Sequence, residues 1–335
     1  MLFCAGTNPP CPAQNAEQIV SVDQRDPAAL GSLFAHHRDS AVERVFDVNA
    51  GLQPLWTFHG GAIYLDRVTE DSRVLMQNVA SPGEQLNASD FDFDWTVGFD
   101  ASITRRWWDN DGFEYRVLYS NQLDAGVSVP ATATSLQINS SPPVFVPDVS
   151  QMNGRYETDL SSFEINYHHW IARYATGILG IRYAALDDDL DVLLTSAPVD
   201  AAYNVRTRND LYGAQVGIIG GPRLCWSRAI VSGSAKLGVY GNDASHRSLL
   251  DTGAAQFPIR ASADNLSWLA EANAQMELPL TRCLSLTAGY TVIWIDQVAI
   301  ASDQLLRSDF FNGTGKSEKG TAVFHGVITA LEWRY

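Results

Sequence analysis

Ten charged residues occupy positions that alternate with apolar ones: Asp92, Asp94, Asp100, Glu114, Arg116, Glu164, Arg182, Lys236, Glu271 and Glu277. Facing one enclosed space, such a carboxylate-rich set would attract cations and let them pass. Paired with one another across a narrow interior, the same groups would seal it. His59, His168 and His169 lie near acidic positions, but their spacing assembles no nucleophile, base and orienting group, so catalysis is not expected. The run Asp187-Asp188-Asp189-Leu190-Asp191 lacks the spacing and glycine of a calcium loop and reads as a solvated external segment. Cys4, Cys11, Cys225 and Cys283 form no Cys-x-x-Cys pair and no cluster with histidine, which argues against zinc. Pairing Cys4 with Cys11 and Cys225 with Cys283 is the simplest disulfide arrangement in an oxidising compartment, with buried free thiols the alternative. Neither a metal nor a cofactor is expected.

The elements that must position these charges are strands. From Phe91 to Thr104 apolar side chains recur at every second position, the period of a strand, and the helical spacings of three and four fail. One face would carry Phe91, Phe93, Trp95, Val97 and Phe99, the other Asp92, Asp94 and Asp100. The same period recurs from Leu55 to Tyr335 in about ten segments, whose connections alternate long and short. Long stretches at about 67–90, 122–158, 187–205, 242–263 and 296–320 read as loops, and the shorter links between them as tight turns. That two-ended asymmetry, with an even strand number, is the pattern of a closed antiparallel transmembrane β-barrel with short periplasmic turns and long external loops. Phe91, Phe93, Trp95, Phe99, Tyr115, Trp268, Trp294, Trp333 and Tyr335 would then face lipid or the interfacial girdles. Residues 1–54 show no convincing strand, carry no secretory signal pattern, and read as a leader, a plug or a periplasmic segment.

Composition narrows the function classes. A net charge of −15 without a Lys/Arg cluster argues against nucleic acid as a partner. No apolar run is long enough for a membrane-spanning helix, which leaves a barrel untouched as an explanation.

Arg208-Asn209-Asp210-Leu211-Tyr212-Gly213-Ala214-Gln215-Val216-Gly217, followed by Lys236-Leu237-Gly238-Val239-Tyr240-Gly241-Asn242, resembles the beta-barrel porin-7 family of planctomycete bacteria. Trp56…Tyr64-Leu65, Gly180-Ile181-Arg182-Tyr183 and the aromatic end fit the same likeness, over residues 55–335. The resemblance implies an outer-membrane barrel and supplies no catalytic or ligand residues. The expected function is passive passage of small solutes or ions through the outer membrane, or a surface structural barrel with a sealed lumen, with membrane lipid as partner. A soluble or periplasmic ligand-binding β-barrel and a barrel-embedded hydrolase are the competing readings.

Overall fold

Alternation produces the strands, and their residues decide what each face meets. The computed structural model describes residues 55–69, 72–81, 85–108, 110–172, 175–220, 229–315 and 319–335, so the leader 1–54 lies outside it. In chain order the elements are β1 (Trp56–Arg67), β2 (Val74–Asn78), β3 (Gln85–Asn87), β4 (Thr96–Trp108), β5 (Asp111–Tyr119), β6 (Leu123–Ile138), β7 (Val144–Ala172) and β8 (Ala175–Ser196). There follow β9 (Ala201–Gly220), β10 (Ile230–Asp251), β11 (Gln256–Pro279), β12 (Leu284–Val298), a short helix α1 (Ala301–Gln304), β13 (Ser308–Asp309), β14 (Thr314–Gly315) and β15 (Gly320–Arg334).

Ten of these strands form an antiparallel ring in the order β7-β5-β4-β1-β15-β12-β11-β10-β9-β8, and β8 returns to β7 to close it. First and last strands pair, with the Trp56 and Tyr335 backbones exchanging bonds of 3.0 and 2.9 Å. On β11 the outward residues run apolar from Leu266 to Met276. Ten residues cover about 33 Å of strand, hence about 25 Å of height at a tilt of about 40°, the thickness of an outer-membrane apolar band. The fold is an outer-membrane β-barrel.

The strands do not stop at the membrane. β7 has 29 residues, β11 has 24, and β8 and β10 have 22 each. The stretches expected as loops at 122–158, 187–205 and 242–263 are the continuation of β6 to β11 into a β-walled tower on the outer side, joined by short hairpin tips. β6 takes over from β5 along β7: Tyr119 faces Ser161 and Leu123 faces Thr158. Within the tower the alternation is reversed. Its inward positions on β7, Val144, Val146, Val149, Met152, Tyr156 and Leu160, are buried, while Arg155, Glu157 and Asp159 look outward.

The segment before β4 shows the reversal most sharply. Phe91 and Phe93 are buried against Tyr156, whereas Trp95 and Phe99 are exposed. Asp94 and Trp95 are consecutive outward residues, and that one-residue slip turns every upstream side chain to the opposite face. The expectation that Phe91 and Phe93 meet lipid, and that Asp92 and Asp94 line the lumen, is corrected accordingly: both aspartates are exposed on the outer wall.

The last long connection folds inward as a strap. Residues 299–305, including α1, are buried, as is Phe310, which packs edge-on against Tyr203. Asn209 holds the Ala299 backbone at both ends, accepting from its N–H at 2.7 Å and donating to its carbonyl at 2.8 Å.

Candidate functional site: the charged lattice inside the barrel

Six charged side chains meet inside the membrane ring, each delivered by an inward strand position. Arg116 comes from β5, Asp100 from β4, Glu164 from β7, Arg182 from β8, Lys236 from β10 and Glu271 from β11, and all are buried. Arg116 binds Asp100 through both ends of its fork, at 2.9 and 2.7 Å, reaches Glu164 at 3.3 Å and also donates to Glu271. Arg182 donates to Glu271 at 2.7 Å and to the Ser162 hydroxyl at 2.7 Å. The Lys236 ammonium donates to both Glu164 oxygens, at 2.8 and 3.1 Å, and stands 3.4 Å from Glu271. Asn166 and Gln215 complete the shell of Glu164 at 2.9 and 2.7 Å, and Tyr240 donates to Gln215 at 3.1 Å.

Three cations therefore balance three carboxylates, and the charges are cross-linked from strands on opposite walls. Taking ions out of water costs several kcal/mol each, offset only when geometry is close and remaining lone pairs are satisfied. This lattice meets that condition at most of its atoms. Arg182 Nη2 is the exception, buried without a hydrogen-bond partner among the described residues.

Above the lattice the interior turns apolar. Leu118, Leu160, Leu186, Leu211, Leu269 and Phe324 are fully buried at the level where the ring passes into the tower. A second polar knot sits higher. Arg67 lies 5.0 Å from the centroids of both the Phe93 and Tyr156 rings, and donates to Asp188 at 2.9 Å and to Thr158. Asp188 also accepts from Tyr156, Thr158 and the strap backbone at Ala301, so the strap is tied to the wall there.

The remaining charged positions are peripheral. Glu114 accepts from Asn166 at 2.9 Å and stands 3.8 Å from the His168 ring, while Glu277 is held by Arg334 and Ser285 near the periplasmic end. His169 contacts Asp111 at 2.9 Å, apart from the lattice. His59 is directly opposite Ser102 and Glu332 in the strand registers and joins none of these groups. Among the aromatics assigned to lipid, Trp95, Phe99, Tyr115, Trp268, Trp333 and Tyr335 are exposed, and Trp294 is half-buried. Cys283 is disulfide-bonded, and the other three cysteines lie outside the described residues. Among the described residues no cluster of three or more His, Cys, Asp or Glu has metal-binding geometry.

Sequence reasoning placed the six lattice residues on polar faces but could not pair them. It also missed Arg67, because a lone arginine ending a strand carries no periodic signal.

No family model matches the chain, and no curated protein sequence does. Similar folds occur among solved structures of outer-membrane proteins. The outer membrane protease OmpT from Escherichia coli is 10% identical over 84% of this chain and 96% of its own, with a TM-score of 0.49. The P. putida toluene transporter TodX is 9% identical over 84% and 90%, with a TM-score of 0.37. The translocator domain of autotransporter NalP from Neisseria meningitidis is 10% identical over 92% and 99%, with a TM-score of 0.39. These likenesses concern the fold. They do not confirm the porin-7 resemblance, and the barrel itself rests on the closed ring and its outward apolar belt. They also correct the expectation that the chain is no enzyme: a protease stands among the barrels of similar fold, so the fold gives no ground for setting catalysis aside.

Proposed function

We propose that this protein is a sealed outer-membrane barrel that anchors a folded β tower at the cell surface, and that it does not serve as an open porin for small solutes or ions. The observation that carries the reading is the charge-neutral lattice of Arg116, Arg182, Lys236, Asp100, Glu164 and Glu271, roofed by an apolar core. A solute would have to break several buried ion pairs and then cross tightly packed leucines. Barrels of about ten strands have interiors that side chains can fill, whereas open porins use 16 or more strands. Acting as an anchor also accounts for the tower, whose strands are continuous with the membrane ring.

Planar-bilayer recording of the full chain tests this directly. No steady ohmic current is expected at moderate voltage, and a stable open level in most insertions would overturn the reading. Glu164→Leu leaves Lys236, Arg116 and Arg182 short of a shared partner. It should lower resistance to urea unfolding in detergent by about 3–5 kcal/mol.

A further inference from the structure

Above the membrane one strand of the tower is left with an open edge. β11 has 24 residues and pairs with β12 only over 268–279. Over 256–267 it pairs with β10 alone. β12 leaves this track after Val298, where Ala299 turns inward to begin the buried strap. β14 packs on Ile259, so the open stretch is 260–266, and among the described residues no backbone group bonds to its free side. Within the bilayer an unpaired edge would be untenable, whereas above it water satisfies the backbone.

Sheet edges are ordinarily protected by shortness, proline or inward charge. At the far end of the same sheet β3 has only 3 residues. The stretch 260–266 contains no proline and no inward charge. Its inward positions Ala261, Ala263 and Asn265 are only half-buried, although the β10 residues opposite them, His246, Ala244 and Asn242, are buried. The inner face thus has room for the side chains of one more strand.

The charges along the edge bear on what that strand carries. Arg260 is directly opposite Arg247 and Asp264 directly opposite Asp243, so β10 offers each a like charge, and neither forms an ion pair among the described residues. Like charges opposite one another destabilise a sheet, and opposite charges stabilise it. The vacant side is where each can meet its complement. A second copy of this chain does not fit. Rotation about the membrane normal brings two β11 edges together in parallel and at one height, with donors facing donors. The chain before Trp56 does not fit either, because it joins β1 at the periplasmic end.

We propose that the 260–266 edge of β11 receives an extended segment of another protein as an added antiparallel strand, on the track that β12 vacates. The segment carries a basic residue opposite Asp264 and an acidic residue four positions later, opposite Arg260. Small apolar side chains beside Ala261 and Ala263 face inward. Backbone ladder bonds supply the affinity, and the charge pairs set register and direction.

The test uses the full chain in detergent and an end-blocked, dye-labelled peptide, Thr-Val-Lys-Val-Thr-Val-Glu. In the antiparallel register this sets Lys against Asp264 and Glu against Arg260. Its anisotropy should rise saturably, and amide exchange within 260–266, fast in the free chain, should slow about tenfold at alternate residues. The reversed sequence should bind about tenfold more weakly. N-methylation of alternate peptide residues blocks the donors of one edge at a time, so one alternation should abolish binding and the other should leave it nearly intact. Arg260→Glu should weaken the parent peptide about fivefold, and replacing the peptide's Glu by Lys should recover the loss. Absence of saturable binding would overturn the proposal, as would edge amides already protected in the free chain. Indifference to both N-methylated series, or equal binding of the reversed sequence, would overturn it as well.

Discussion

The two halves of β7 obey opposite rules. From Ser162 to His168 its inward side chains are polar, Ser162, Glu164, Asn166 and His168, while Phe163 and Ile165 look out. From Val144 to Leu160 its inward side chains are mostly apolar and its outward ones mostly polar. One strand is thus solvated by hydrocarbon at one end and by water at the other, and each face changes character near Leu160. The backbone pattern is indifferent to this change. What differs is the medium outside, and it dictates whether the interior is built from ion pairs or from packed leucines.

The largest test of this contrast compares two phenylalanines six positions apart. Phe93 is 5% exposed and Phe99 46%. Phe93→Ala should cost about 3–4 kcal/mol by opening a cavity beside Tyr156 and Arg67, whereas Phe99→Ala should cost less than about 1 kcal/mol because lipid fills the space. Urea titration in detergent measures both, and equal losses would break the distinction. A charge on the membrane wall comes next. Leu237→Arg should cost about 2–4 kcal/mol, while Ser262→Arg on the exposed tower face should be close to neutral in the same titration.

A third test uses acid. The His246 ring is buried in the tower beneath Gly315, and desolvation lowers its pKa to about 4. The unfolded chain takes up a proton near pH 6.5, the folded tower only near 4, so this histidine's contribution is intact above 6.5 and declines as pH falls toward 4. The loss should approach about 3 kcal/mol. Protease susceptibility of the tower across that range reads it, and His246→Gln should flatten the profile. The smallest effect concerns Asp159, whose carboxyl is pushed upward in pKa by burial and then by Asp187, Glu157 and Asp188. A raised carboxylate pKa opposes folding at neutral pH and ceases to do so in acid. Asp159→Asn should therefore stabilise the tower at pH 7 by about 0.5 kcal/mol, and lose that advantage near pH 4.

The membrane ring was legible because its outward aromatics and aliphatics stand on every second residue without interruption, as from Trp95 to Ile103. The tower was not. Pro142, Pro143 and Pro147 near the start of β7 and the aspartates of 187–191 carry the composition of a loop, although Leu186, Leu190, Val192 and Leu194 keep the inward alternation through the acidic run. The slip at Asp94 was hidden because polar and apolar residues alternate equally well on both sides of it. Partners inside the barrel were beyond reach for another reason: Arg116 and Glu271 are 155 residues apart, and only ring closure makes them neighbours.

Because β7 to β11 pass from ring to tower without a break, a tug on the exposed end is borne as shear along ladders many bonds long and delivered straight into the bilayer wall. The tips at 139–143, 197–200 and 252–255 are short. A nick at any one of them would leave two pieces still zipped together, so this protrusion has the mechanics of a rooted post.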